Sequence, residues 1–198
     1  MTLKSTNFTG HLLVAMPMLN DPSFVKSVIY ICSHSEDGAM GLVINRPTTM
    51  TYAELFAKVH LTLLDRHIET TPVLFGGPVQ PERGFILHPY HVESQSQDWD
   101  SSIVIQNGTA LTTSKDILEA VANNAGPKKM LLSLGYAGWT PGQLEDEISQ
   151  NAWLSVCPTS QEELHTILFD TPFELQLDAA LAQLGVSYSM LSDVAGHA

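Results

Sequence analysis

Helix-capping signatures recur at Thr51, Ser114, Thr140, Ser160 and Thr171, and short β-rich runs fill most of the space between them. That alternation is the strongest constraint on the fold, because elements this short bury their apolar sides only by packing in layers. Thr51 and Glu54 make a capping box ahead of Leu55, Phe56 and Val59, which predicts a helix over roughly residues 52–59. Ser114 precedes Ile117, Leu118 and Val121, and Gly126-Pro127 closes that second helix. Thr140 and Gln143, with Pro141 between them, open a third; Ser160 with Glu163, and Thr171 with Pro172 and Glu174, open two more.

The expected strands are residues 11–16, 27–33, 39–45, 73–75, 84–88, 103–106, 129–134 and 152–156. Asp37-Gly38 supplies the positive φ for a hairpin between the second and third. The polar stretch 93–102 reads as an exposed loop and 135–139 as a turn leading into the third helix. Neither a repeat nor a linker divides the chain, so residues 1–198 are expected to form one domain of mixed sheet with helices packed on it.

Charge narrows the function. All nine Lys and Arg lie within residues 1–129, beside twelve Asp and Glu, whereas residues 130–198 carry nine Asp and Glu and no cation. A surface of that sign repels a polyanion whose binding depends on cations displacing counterions, so direct nucleic-acid binding ranks last among the functions considered. Apolar runs fall far short of the roughly 20 residues that span a bilayer, and Pro17 interrupts the first of them before a leader can form. The expected location is the cytoplasm, with no membrane contact. In that compartment Cys32 and Cys157 are expected as reduced, buried thiols.

Several segments carry a resemblance. GHLLVAMP at 10–17, SVIYIC at 27–32, His34, GAMGLVINRP at 38–47, GGPV at 76–79 and RGFILH at 83–88 occur in one order. GYAGW at 135–139, GQLE at 142–145, NAW at 151–153 and GHA at 196–198 continue it. The chain resembles the YqgE/AlgH family over nearly its whole length. The resemblance implies a compact α/β domain with a bifurcated mixed sheet folded into a pseudo-barrel and helices outside. It implies little chemistry, since the family name comes from a proposed role in regulating alginate production and brings no catalytic residues with it.

The residues themselves offer candidates. Asn45-Arg46-Pro47 and Gly76-Gly77-Pro78 each place polar groups at a strand end beside a stiff turn, and Arg83 follows closely. Arginine is well matched to carboxylate or phosphate, so Asn45, Arg46, Gly76, Gly77 and Arg83 are candidate ligands of one small anionic molecule, with His34 or His88 as a proton carrier. The competing reading pairs each arginine with a neighbouring acid. His88 and His91 stand three apart at a strand end, but without further ligands a structural histidine is the better reading, and neither metal nor cofactor is expected. The acids Glu145, Asp146 and Glu147 read as a solvated helix face. A non-catalytic regulatory or interaction module, binding a protein or a small anionic ligand, is therefore the leading expectation, and an enzyme acting on a small anionic substrate is the alternative.

Overall fold

Two buried strands set the architecture, and both alternate between separate cores. In β1 (Leu12–Ala15), Leu12 and Val14 enter one core while Leu13 and Ala15 enter another. In β2 (Val28–Ser35), Val28, Tyr30 and Cys32 join the first core, and Ile29 and Ile31 join the second. A period of two on a strand covered on both faces explains why both stretches are almost wholly apolar. The structure is a computed structural model and describes residues 7–90 and 99–194.

The remaining elements follow as β3 (Gly38–Val43), β4 (Pro47–Thr51), α1 (Tyr52–Lys58), β5 (Pro72–Phe75), β6 (Val79–Pro89), β7 (Ser102–Ile105) and β8 (Thr109–Thr112). Then come α2 (Lys115–Ala122), β9 (Leu131–Trp139), α3 (Gln143–Ser149), β10 (Trp153–Val156), α4 (Gln161–His165), α5 (Gln176–Ala182) and α6 (Tyr188–Val194). The sheet runs β10-β1-β2-β3-β9-β6-β8-β7, with β4 and β5 branching from β9. All pairings are antiparallel except β5 with β9, so the sheet is mixed and curls into a half-barrel with helices around it.

Bifurcation occurs along β9. Ser133 and Leu134 pair with β5, and Ala137 to Trp139 then pair with β3. Gly135, at φ 71°, marks the change. Leu132 and Leu134 face the α1/α2 core before it, Ala137 and Trp139 face the α3 core after it, and Tyr136 meets Phe85 inside the half-barrel. One residue is inserted into the alternation, as a bulge does. Residues 135–139 are therefore strand, not the turn their glycines suggest, because partners on both sides extend the ladder through them.

Other sequence expectations fare differently. The Thr51 capping box forms, with Glu54 N–H donating to Thr51 Oγ1 and Thr51 N–H donating to Glu54 Oε2. Ser160 Oγ caps Glu163 N–H at 3.1 Å. Gln143 Oε1 does accept from Thr140 N–H, yet the helix begins only at Gln143, because Gly142 at φ 77° holds a separate turn before it. Strands β4 and β8 were not expected. Cys32 is buried, and burial pushes its thiol up to about 12, but Cys157 lies beyond β10 and is exposed; both are free. The expected loop at 93–102 and the closing GHA motif fall mostly or wholly outside the described residues.

After α4 the helix widens into a π-helical turn, Thr166–Asp170. Gln176, fully buried, donates its side-chain amide to the carbonyls of Ile167 at 3.0 Å and Leu168 at 3.3 Å, compensating the distorted ladder. No helix among the described residues is long and apolar enough to cross a membrane.

Candidate functional site

Asn45 and Arg46 act on the start of β2 and on the chain that precedes it. Asn45 Oδ1 accepts from Val28 N–H at 2.8 Å, and its Nδ2 donates to Lys26 C=O at 2.9 Å. The Arg46 guanidinium donates to the carbonyls of Ser23 at 2.6 Å, Pro22 at 2.9 Å and Val25 at 3.4 Å. Its donors thus tie down a loop, and among the described residues Arg46 has no acid partner.

Gly76 does meet that strand end, through backbone. Val43 N–H donates to Gly76 C=O at 2.9 Å, and Phe75 N–H donates to Arg46 C=O at 2.8 Å. Gly76 and Gly77 cross directly over β9, where a Cβ at either would overlap the backbone of Gly135 or of Tyr136 and Ala137. Close approach of two strands, rather than room for a ligand, accounts for this glycine pair. Arg83 turns elsewhere, donating weakly to Gln80 and Thr113 with its guanidinium 5.6 Å from the Phe85 ring.

The histidines are likewise separate. His34 Nδ1 accepts from Phe8 N–H at 3.1 Å, which leaves Nε2 to donate to Glu145 Oε1 at 3.0 Å. His88 is almost fully buried, with Nδ1–H directed at Pro89 C=O at 3.0 Å and Nε2 accepting from Thr112 Oγ1 at 2.9 Å. Desolvation lowers the His88 pKa, and the Pro89 carbonyl opposes that shift. His91 lies outside the described residues. Of the seven candidates, His34 lines a recess of about 60 Å³ shared with Asn7 and Glu145.

A larger cleft gathers residues that were not expected. A cavity of about 310 Å³ opens where the start of α1, the end of α2, the approach to β9 and the π-helical turn meet. Tyr52, Val121, Met130 and Phe169 wall it, and Asp65, Asn124, Lys128 and Lys129 stand among its polar residues. Local chemistry shapes the lip. Asn124 ends α2 in the left-handed region at φ 58°, and Ala125 N–H reaches back to Ala120 C=O at 2.8 Å. At Gly126 a Cβ would press on Val121, so glycine lets the loop fold back and bring Pro127 to Lys129 into the cavity's lining.

The cleft's groups are already partly arranged. Tyr52 Oη accepts from Leu132 N–H at 3.2 Å, and burial pushes its phenol up to about 12, so it stays neutral at physiological pH. Lys129 Nζ pairs with Asp170, 2.7 Å from Oδ2. Asp65 caps the following turn by accepting from His67 N–H at 2.9 Å. Lys128 is exposed and makes no salt bridge among the described residues. The sequence held one signal of this site: Lys128-Lys129 is the chain's only adjacent pair of cations, directly after Gly126-Pro127.

A family model described as AlgH-like matches residues 12–189. The chain belongs to the AlgH-like family. A UPF0301 protein of Burkholderia thailandensis is 53% identical over 192 residues, covering 97% of this chain and 96% of that one. A UPF0301 protein of Burkholderia mallei is 52% identical with the same coverage. The solution structure of the AlgH protein from Pseudomonas aeruginosa superposes with a TM-score of 0.75 at 44% identity, covering all of both chains. Protein DIP2367 from Corynebacterium diphtheriae, at TM-score 0.59 and 22% identity over 77% of each chain, shares the fold alone. The bifurcated, curled sheet of this AlgH-like chain is thus the family's architecture.

Proposed function

We propose that this AlgH-like protein is a non-catalytic binding module whose cleft takes a small carboxylate or phosphate. The observation that carries the reading is the placement of the chain's only adjacent cations, Lys128 and Lys129, at the mouth of a cavity of about 310 Å³ in a protein of net charge −12. Lysine is a compact, mobile point charge suited to meeting an oxyanion at a rim. The volume suits a small metabolite, near the lower end of the usual range of roughly 300–1,000 Å³ for ligand pockets. Tyr52, Val121, Met130 and Phe169 offer an apolar body its contact surface, and Asp65 favours a ligand that also carries a hydroxyl or amine. A regulatory role in the cytoplasm follows naturally if the ligand changes the surface that the π-helical turn presents beside it.

The test is a panel of small carboxylates and phosphates added during thermal unfolding of the whole chain. A ligand at a hundredfold its Kd stabilises the native state by about 2.7 kcal/mol. That is a midpoint rise of roughly 5–11 °C for a chain of this size. Lys128→Ala removes the rise, whereas Asp170→Asn releases Lys129 and enlarges it. If no panel member raises the midpoint, or if the Lys128→Ala protein responds like the parent, the cleft is not an anion site.

A further inference from the structure

Strand β7 ends the sheet, pairing with β8 alone among the described residues. It exposes Ile103 at 56% and Val104 at 57% of their surfaces, although these neighbours point to opposite faces. Both faces of this edge are therefore apolar and open at once.

Its hydrogen-bonding edge can be read from the register. Thr113 N–H donates to Ser101 C=O at 3.1 Å, so Ser101 and Thr113 form a hydrogen-bonded pair. Alternation along an antiparallel ladder makes Ile103/Leu111 and Ile105/Thr109 pairs of the same kind. Ser102 and Val104 then direct their backbone N–H and C=O groups away from β8. An edge of this kind accepts a further strand, because it offers both ladder bonds and apolar side-chain contacts.

Charge identifies the occupant. Asp100 precedes the strand and is held by the Asp116 carboxylate through its N–H at 2.9 Å. At the other end, His165 Nε2 lies 3.0 Å from Gly108 C=O, which places α4 and its exposed Glu162 and Glu163 beside the β7–β8 turn. The nearby Lys115 is engaged by Glu119 at 3.3 Å. Asp100 and Asp116 stand before the strand, and the exposed acids of α4 belong to the helix packed beside the turn that follows it. A second copy docking antiparallel would bring like charges together, whereas a basic-ended segment meets opposite ones.

We propose that β7 is a docking edge for an extended segment of a partner protein, apolar in its middle and carrying Lys or Arg at both ends, which adds to the sheet opposite Ser102 and Val104. The probe is a peptide of sequence Lys-Thr-Val-Thr-Val-Thr-Val-Lys, compared with a twin that has Glu at both ends. NMR titration of the whole protein is expected to show saturable shifts centred on the Ser102 and Val104 amides, with the Glu-ended twin at least tenfold weaker. Val104→Pro deletes one outward donor while leaving the β7–β8 ladder intact, and it is expected to abolish binding with the rest of the spectrum preserved. Val104→Lys keeps the backbone donor and adds a cation, so it should weaken the Lys-ended peptide selectively. The proposal is overturned if the parent protein binds neither peptide, if both bind alike, or if Val104→Pro binds as the parent does. A parent dimer that Val104→Pro dissociates overturns it too, since the occupant would then be a second copy.

Discussion

Trp139 and Trp153 stand edge to face, ring centroids 5.9 Å apart at 78°, and their indole N–H groups both donate to Glu147 Oε2, at 2.8 and 2.7 Å. Gln143 Nε2 donates to the other carboxylate oxygen at 2.9 Å. One carboxylate thus fastens α3 to β9 and β10, across the second core. Read in the sequence, Glu147 belongs to a solvated acidic face; in the structure it turns inward, because only the tertiary fold brings two indole donors to it.

Glu147→Ala is expected to destabilise the protein by about 3 kcal/mol, since a buried donor left without its acceptor costs roughly 1–3 kcal/mol and two indoles lose theirs. Glu147→Gln should cost less, because an amide oxygen still serves the indoles while its nitrogen faces the donor of Gln143. Urea unfolding followed by tryptophan emission measures both. A loss below about 0.5 kcal/mol for Glu147→Ala, the usual range of a surface change, would show that the cluster is ornamental to stability.

Arg46 yields a prediction of a different shape. Its three backbone acceptors all lie between Pro22 and Val25, so Arg46→Ala is expected to loosen that loop and leave the sheet standing. The cost should be about 1–2 kcal/mol, because hydrogen bonds from charged groups are worth roughly 1.5–3 kcal/mol and water replaces part of them at a half-exposed site. Limited proteolysis should gain a cut within residues 21–27. Lysine cannot reproduce a planar fork reaching three carbonyls, so Arg46→Lys should rescue little. Loss of anion binding in the Lys128 cleft on Arg46→Ala, with the fold intact, would contradict this purely local role.

What the sequence made legible was local. The Thr51–Glu54 box, the Ser160 cap and the β2–β3 hairpin depend on residues within a few positions, and all three form. Strand β8 carries no mark in the sequence because Thr109 to Thr112 is short, and its pairing with β6 and β7 supplies the order its own sequence lacks. The bulge at Gly135 reads as a turn for the same reason: its glycines indicate freedom, and partners nearly 100 and 50 positions away decide how that freedom is used. The cleft shows the limit most clearly. Lys128-Lys129 was visible as a pair, but its conjunction with Tyr52 and Phe169 exists only after α1 and the π-helical turn have been folded around the start of β9.

His88 sets the sign of a pH effect. Buried in β6 beside β8 and bonded to Thr112 and the Pro89 carbonyl, it is neutral in the native state, and desolvation holds its pKa below the ordinary value. The unfolded chain takes up that proton near pH 6.5, while the native chain resists it. Above that pH both states are neutral and His88 contributes no pH dependence; as pH falls below it, the unfolded state binds more protons and stability declines until the native pKa is reached. One such group changes stability by at most about 1.4 kcal/mol per pH unit. His11, also lowered by burial, acts in the same direction, so the comparison must be with a variant and not with the parent alone. His88→Gln is expected to reduce stability at pH 7.5, through lost packing and the Thr112 bond, yet to show a shallower decline between pH 7 and pH 5. Urea midpoints of parent and variant measured across that interval decide the matter: parallel curves would mean that His88 is protonated as readily in the fold as outside it.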